Sequence, residues 1–270
     1  MSIDQAAVTN ALLQQWDAIE DALAPLNEER WLTPSVLPGW TVHDVLSHVV
    51  GTECMLLGEE PPVTHVEPHA AHVHNEIGAF NERWVEGLRD RTGAQMLDLF
   101  RDVTGRRRAA LAALTPEQWS AESWTPVGKD TYGRFMRIRL FDCWMHEHDI
   151  RDVLGAPGDE GGARGELSFA EIDGAISYLV GKKGKAPDGS RVQIELTGPL
   201  PRTIRIAVDG RAKRVDAFDT EPTTTITLDS RLFVRLTGGR TPAEAHVGEI
   251  AVAGDTAVGE RIVHHLAFTI

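Results

Sequence analysis

The sequence predicts an α+β chain: a helical bundle over residues 1–155, then a small α+β domain over 166–270 built on one antiparallel sheet. Three observations carry this. Apolar residues in the first half recur at spacings of three and four, the period of a helix face. In the last third they alternate with polar residues, the period of a half-buried strand. The character also changes near residue 155: all seven tryptophans lie before it, and the glycine-rich stretch 155–165 reads as a flexible connection.

Taken in order, Leu12, Trp16, Ile19 and Leu23 stand at spacings of four, three and four and predict a helix over about residues 4–25. Pro38-Gly39 marks a turn. Thr41 then offers a hydroxyl N-cap, and Asp44 three residues on comes close to a capping box. Val42, Val45, Leu46 and Val49 continue that helix as an apolar face. Helices are expected next over about 73–90 and 94–114; Thr115-Pro116 ends the second and starts a short turn through Trp119. A long helix follows over about 133–154. The expected product is an up-and-down bundle of four or more helices.

Beyond the connection, residues 166–181 read as helix, and 192–196, 204–208, 224–228 and 250–252 alternate as strands. Asp209-Gly210 is a hairpin turn signal. Asp229 or Ser230 can cap a helix to Leu236, and Asp255 one that ends near Leu266.

Composition removes several function classes. An apolar fraction of 42% is that of a globular protein. A net charge of -13, spread along the chain, argues against nucleic acid as a partner, which needs a clustered basic face. The basic run Arg106-Arg107-Arg108 reads as a solvated helix face. No apolar run approaches membrane-spanning length, and the N-terminus lacks signal-peptide character. Two cysteines, Cys54 and Cys143, without CxxC spacing, fit a reducing compartment and exclude zinc-ribbon chemistry. The expectation is a cytoplasmic protein without a membrane partner.

Polar residues on an apolar stripe carry the chemistry. On the long helix, Phe135, Ile138, Met145, Ile150 and Val153 fall on one face at about 100° per residue, with Asp142 and His146 in its middle one turn apart. A carboxylate and an imidazole facing a core are costly unless they pair or bind a metal. His48, at the edge of an earlier helix's apolar face, is the third member. The set His48, Asp142, His146 is that of a divalent-metal site with a fourth position left open. Taken singly, the plainer readings win: an edge histidine is more often a hydrogen-bonded boundary residue, and Asp142 with His146 can be a metal-free pair. Three such groups on one bundle interior tip the balance to metal.

Other polar residues are ranked below these. Asp149, one turn after His146, can orient a ligand imidazole. Arg139, a turn before Asp142, either pairs with it or meets an anionic ligand, and is the candidate cofactor-binding residue. His148 is expected at the surface and Cys143 packed. The histidines His65, His69, His72 and His74 follow Pro61-Pro62 and read as solvated loop. Arg231, Arg235 and Arg240 lie on or after a predicted helix of the second domain. Any of them could hold a substrate carboxylate, although for each one singly a solvated helix face is the plainer reading; Arg240, beside two glycines, is the candidate catalytic residue. No dinucleotide fingerprint, GxSxG or P-loop is present.

At residues 37–48 and 139–151 the sequence resembles the mycothiol-dependent maleylpyruvate isomerase family, whose N-terminal half belongs to the DinB-like metal-binding helical bundles. Residues 73–86 look like the family's third-helix segment. Residues 228–240 and 252–256 are similar to its C-terminal, sterol-carrier-like domain. The resemblance implies that His48, Asp142 and His146 take the positions of the metal ligands, usually zinc. The isomerase has glutamate where this chain has Asp142, shorter by one methylene. It also implies mycothiol as thiol cofactor and an actinobacterial source.

A cation held by two imidazoles and a carboxylate can ionise a thiol, which then attacks a small electrophile. If the thiolate adds and leaves, the outcome is cis–trans isomerisation; if it stays, the outcome is an S-conjugate. Both remain open, with a small thiol and an electrophile as partners. Two further readings stand beside them: a non-catalytic, metal-containing carrier of an apolar ligand, and a non-haem iron oxygenase resting on the two-histidine, one-carboxylate set.

Overall fold

A computed structural model of the chain describes residues 3–63, 73 and 75–269. It divides into two units, residues 1–158 and 159–270, and each is treated by itself.

The first unit is helical. Helix α1 (Gln5–Leu23) starts on Asp4, whose side chain accepts from the Ala7 amide, and buries Leu12, Trp16, Ile19 and Leu23 completely. A short α2 (Glu28–Trp31) leads to α3 (Val42–Leu56). Thr41 caps α3 in a full capping box with Asp44, which satisfies two amides that a helix start otherwise leaves unpaired. Then follow α4 (Glu76–Leu88), α5 (Gly93–Ala112), α6 (Pro116–Ser120), a hairpin of β1 (Glu122–Thr125) and β2 (Gly128–Thr131), and the long α7 (Tyr132–Leu154). The hairpin has no counterpart in the expectations, because two four-residue strands carry too little period to read.

Packing follows an order that chain sequence does not give. Helix α7 lies along α1, its most distant helix in sequence, and also meets α3; α3 packs on α4 and α5. Being central, α7 is not one-sided: every residue from Cys143 to Ile150 is buried, including His148 at 1% exposure, so the expected surface position of His148 is corrected. Its C-terminus closes on Gly155 at φ 64°, a left-handed cap that glycine adopts without steric cost.

The second unit opens with α8 (Gly162–Tyr178), extended by a π-helical turn over Leu179–Lys183. Five strands follow: β3 (Arg191–Thr197), β4 (Arg202–Asp209), β5 (Arg211–Arg214), β6 (Thr224–Asp229) and β7 (Ala251–Gly254), in the order β5-β4-β3-β6-β7. Pairing is antiparallel at three of the four junctions, while β3 and β6 run parallel because the chain crosses from one side of β3 to the other. Alternate residues Val192, Ile194, Leu196, Ile204, Ile206, Ile226 and Leu228 are buried, so one sheet face makes the core. Phe169 of α8 and Phe233 of α9 (Ser230–Thr237) stack there at 6.0 Å. Asp229 caps α9, and Asp255 caps α10 (Thr256–Val263).

Candidate metal centre

Helices α3 and α7 bring the three expected residues together. His48 comes from the middle of α3, whose face is fixed by buried Val45, Val49 and Val50. Asp142 and His146 come from adjacent turns of α7. His48 Nε2 lies 3.4 Å from Asp142 Oδ2, and His146 Nε2 lies 3.4 Å from Asp142 Oδ1. One ligand atom from each residue falls within 4.8 Å of the others. The imidazole side chains are 7% exposed and the carboxylate 35%, so the cluster opens to solvent on the Asp142 side.

These distances test whether a cation fits. At 3.4 Å both N···O separations exceed the usual hydrogen-bond range of about 2.7–3.2 Å. Each is close to the edge of a ligand tetrahedron, about 3.3–3.6 Å for metal–ligand bonds near 2.0–2.2 Å, but the two reach different oxygens of Asp142; taken one atom per residue, the three ligand atoms lie within 4.8 Å of one another. The donor set, two imidazole nitrogens and one carboxylate, is one that zinc and its first-row neighbours accept. The residues fit a divalent cation.

The imidazoles are oriented by different means. His146 Nδ1 is 2.9 Å from Asp149 Oδ2, itself buried, which fixes the ring and turns Nε2 toward Asp142. His48 Nδ1 is buried with no hydrogen-bond partner among the described residues. Its ring is held by packing, with Trp40 at 5.5 Å and His146 edge-on at 4.8 Å between centroids. Trp40 is itself anchored by donating from Nε1 to Glu82 at 3.0 Å.

The electrostatics follow from burial and neighbours. Burial pushes the His48 pKa below its ordinary value despite Asp142. For His146 burial acts the same way, but Asp142 and Asp149 outweigh it and hold the pKa above the ordinary value. Burial opposes the charge on Asp142, yet His146, Arg139 and His48 together hold its carboxyl well below the usual range. Asp142 is therefore an anion at neutral pH.

Arg139 meets Asp142 through Nη1, and also donates from Nε to Glu53 Oε1 at 2.7 Å and from Nη2 to the Val49 carbonyl at 2.8 Å. Its side chain is 1% exposed. Arg107, expected on a solvated face, is instead buried on α5, and its Nε donates to Glu53 Oε2 at 2.9 Å. Arg106 does face outward, pairing with Glu59, whereas Arg108 is half-buried, lying over the Trp16 ring at 5.6 Å and pairing with Asp17. Glu53 and Arg107 are the members of this cluster that sequence reading missed, because charge alone gives no sign of which member of a basic run points inward.

The other candidates lie elsewhere. Arg240 belongs to the second unit, where its Nη1 donates to the Gly238 carbonyl at 2.6 Å and to Thr269 Oγ1 at 3.5 Å. Arg235 holds Glu160 with both terminal nitrogens, at 2.7 and 2.8 Å, and Arg231 stands 3.6 Å from the same carboxylate. Cys143 is packed, and burial pushes its thiol far above the ordinary range. His65, His69, His72 and His74 lie outside the described residues.

Comparison with known proteins gives the following. The family described as "Mycothiol maleylpyruvate isomerase N-terminal domain" matches residues 12–151, and the one described as "MDMPI C-terminal domain" matches residues 166–261. Crystal structures of the mycothiol-dependent maleylpyruvate isomerase and of a point mutant of it share the fold. Each has a TM-score of 0.59 and covers 93% of either chain, at 18% and 17% identity respectively. Two uncharacterized proteins of Mycobacterium tuberculosis, from strains CDC 1551 / Oshkosh and ATCC 25618 / H37Rv, are 26% identical over 140 residues. Those matches cover 52% of this chain and 53% of each relative, so the aligned part spans about half the length of the curated relatives.

Proposed function

The chain belongs to the mycothiol maleylpyruvate isomerase family, and on that premise we propose that it is a metal-dependent enzyme using mycothiol against a small electrophile. The observation that carries the reading is the convergence of His48, Asp142 and His146 on one spot between α3 and α7. A divalent cation bound there, zinc by the family resemblance, would lower the pKa of a thiol that approaches it.

The protein's own groups do the rest. His48 and His146 would each present an Nε2 lone pair to the cation: His48 is neutral because burial disfavours its charge, and His146, whose pKa Asp142 and Asp149 raise, gives up its Nε2 proton to the bulk while Nδ1–H stays held by Asp149. Asp142 supplies one negative charge and stands at the solvent-facing side, where a thiol and an electrophile can enter. Trp40 and the buried wall of α3 limit water on the other side. Release of the thiolate from its adduct would give isomerisation, and retention would give an S-conjugate. We assign the class that contains both.

No helix among the described residues is long and apolar enough to cross a membrane. Both cysteines are buried and unpaired, in keeping with a reducing cytoplasm, and the mycobacterial relatives accord with an actinobacterial source. The test is calorimetric titration of mycothiol into the zinc form and into His48→Ala, followed by a panel of maleyl, epoxide and halide electrophiles. Thiol binding that depends on metal and on His48, with turnover of one electrophile, is expected. Equal thiol binding by both proteins would sink the proposal and leave an apolar-ligand carrier as the reading.

A further inference from the structure

Arg139 is one member of a line of buried charges. Glu53, fully buried on α3, accepts from Arg139 Nε on one oxygen and from Arg107 Nε on the other. Arg107 also donates to the Tyr132 hydroxyl at 3.2 Å, at the start of α7. Positive and negative therefore alternate from Arg107 on α5, through Glu53 on α3, to Arg139 and Asp142 on α7. Such a line is costly to bury unless every member is matched, and an apolar core would hold three helices together as well.

The end of the line has a direction. Arg139 is fixed from two other sides, by Glu53 and by the Val49 carbonyl, which leaves Nη1 for Asp142. It takes Asp142 Oδ2, the oxygen facing His48, and leaves Oδ1 facing His146. A free aspartate carboxylate has a broad torsion and would swing. Here one oxygen is held.

Resting on the metal reading above, we propose that Glu53 and Arg107 are positioning residues for Asp142: they hold Arg139 against one carboxylate oxygen, so that the other is presented to the divalent cation. Neither residue hydrogen-bonds to His48, Asp142 or His146 among the described residues. A merely structural ion line would affect stability and leave the metal site unchanged. A positioning line changes the metal's affinity and ligand field as well.

Cobalt(II) in place of zinc separates the two, because its visible bands report ligand number and field. The full chain, His146→Ala, Glu53→Gln and Arg107→Lys would be titrated with cobalt, and their folding checked by circular dichroism. The wild type should bind one equivalent, and His146→Ala none. Glu53→Gln should weaken cobalt by roughly tenfold or more, the scale on which outer partners of metal ligands act, with a shifted visible band. Arg107→Lys keeps the buried charge but not the guanidinium fork, and should weaken it several-fold with a smaller shift. Affinity within twofold of wild type and an unmoved band in a folded Glu53→Gln would overturn the proposal. Arg107→Lys decides in the same way if Glu53→Gln does not fold. Failure of the wild type to bind cobalt through His146 would instead remove the metal reading, and this inference with it.

Discussion

Removing the Asp149 carboxylate isolates what orientation of His146 contributes. In Asp149→Ala the 2.9 Å contact to His146 Nδ1 is lost, and the ring nitrogen stays in a pocket where the residue is 6% exposed. Loss of such an outer partner lowers metal affinity by about 10–100-fold, or about 1.4–2.7 kcal/mol. A charge-assisted hydrogen bond, worth about 1.5–3 kcal/mol, gives the same range independently. Asp149 also raises the His146 pKa, so its loss weakens proton competition and masks part of the effect near neutrality. The assay is therefore competition for zinc against a chromophoric chelator at a pH well above the ordinary histidine value of 6.5. Asp149→Asn keeps a neutral acceptor and should fall between wild type and alanine. Zinc affinity within twofold of wild type in a folded Asp149→Ala would refute the argument that Asp149 orients a ligand.

Other expected outcomes are as follows. His146→Ala should lose metal binding while keeping a cooperative thermal transition, since α7 is held by its packing on α1 and α3; a lost transition would make the metal structural. The His146 pKa is raised and the His48 pKa lowered, so just below the His146 value cation binding should release about one proton, not two. Calorimetry in buffers of different ionisation enthalpy counts that proton, and apparent affinity should fall as pH drops through the His146 value. Gly51→Ala should destabilise the first unit by about 1–3 kcal/mol in denaturant titration. An added Cβ would lie 2.4 Å from Trp84 Cγ, where α3 and α4 pack, and unchanged stability would show that Trp84 can yield. Limited proteolysis should cut first between residues 155 and 161, where irregular backbone joins α7 to α8; primary cutting within the sheet would place the boundary elsewhere.

What the sequence determined by itself was local. The spacing of Leu12, Trp16, Ile19 and Leu23, the Thr41–Asp44 capping box and the alternation in β3, β4 and β6 are written within a few residues, and each appears where read. The placing of Asp142 and His146 one turn apart is of the same kind. Burial and pairing were decided by tertiary structure. Helix α7 packs on both α1 and α3, so from Cys143 to Ile150 residues on all its faces are inside, His148 with them. Arg107 turns inward from a basic run because Glu53, 54 positions earlier, waits there with a second arginine on its other oxygen. The parallel junction of β3 and β6 likewise depends on which side of β3 the chain returns to. A short-range pattern can record a helix face, a cap or a strand period. The cost of a buried charge is set by its partner, and that partner is distant in sequence.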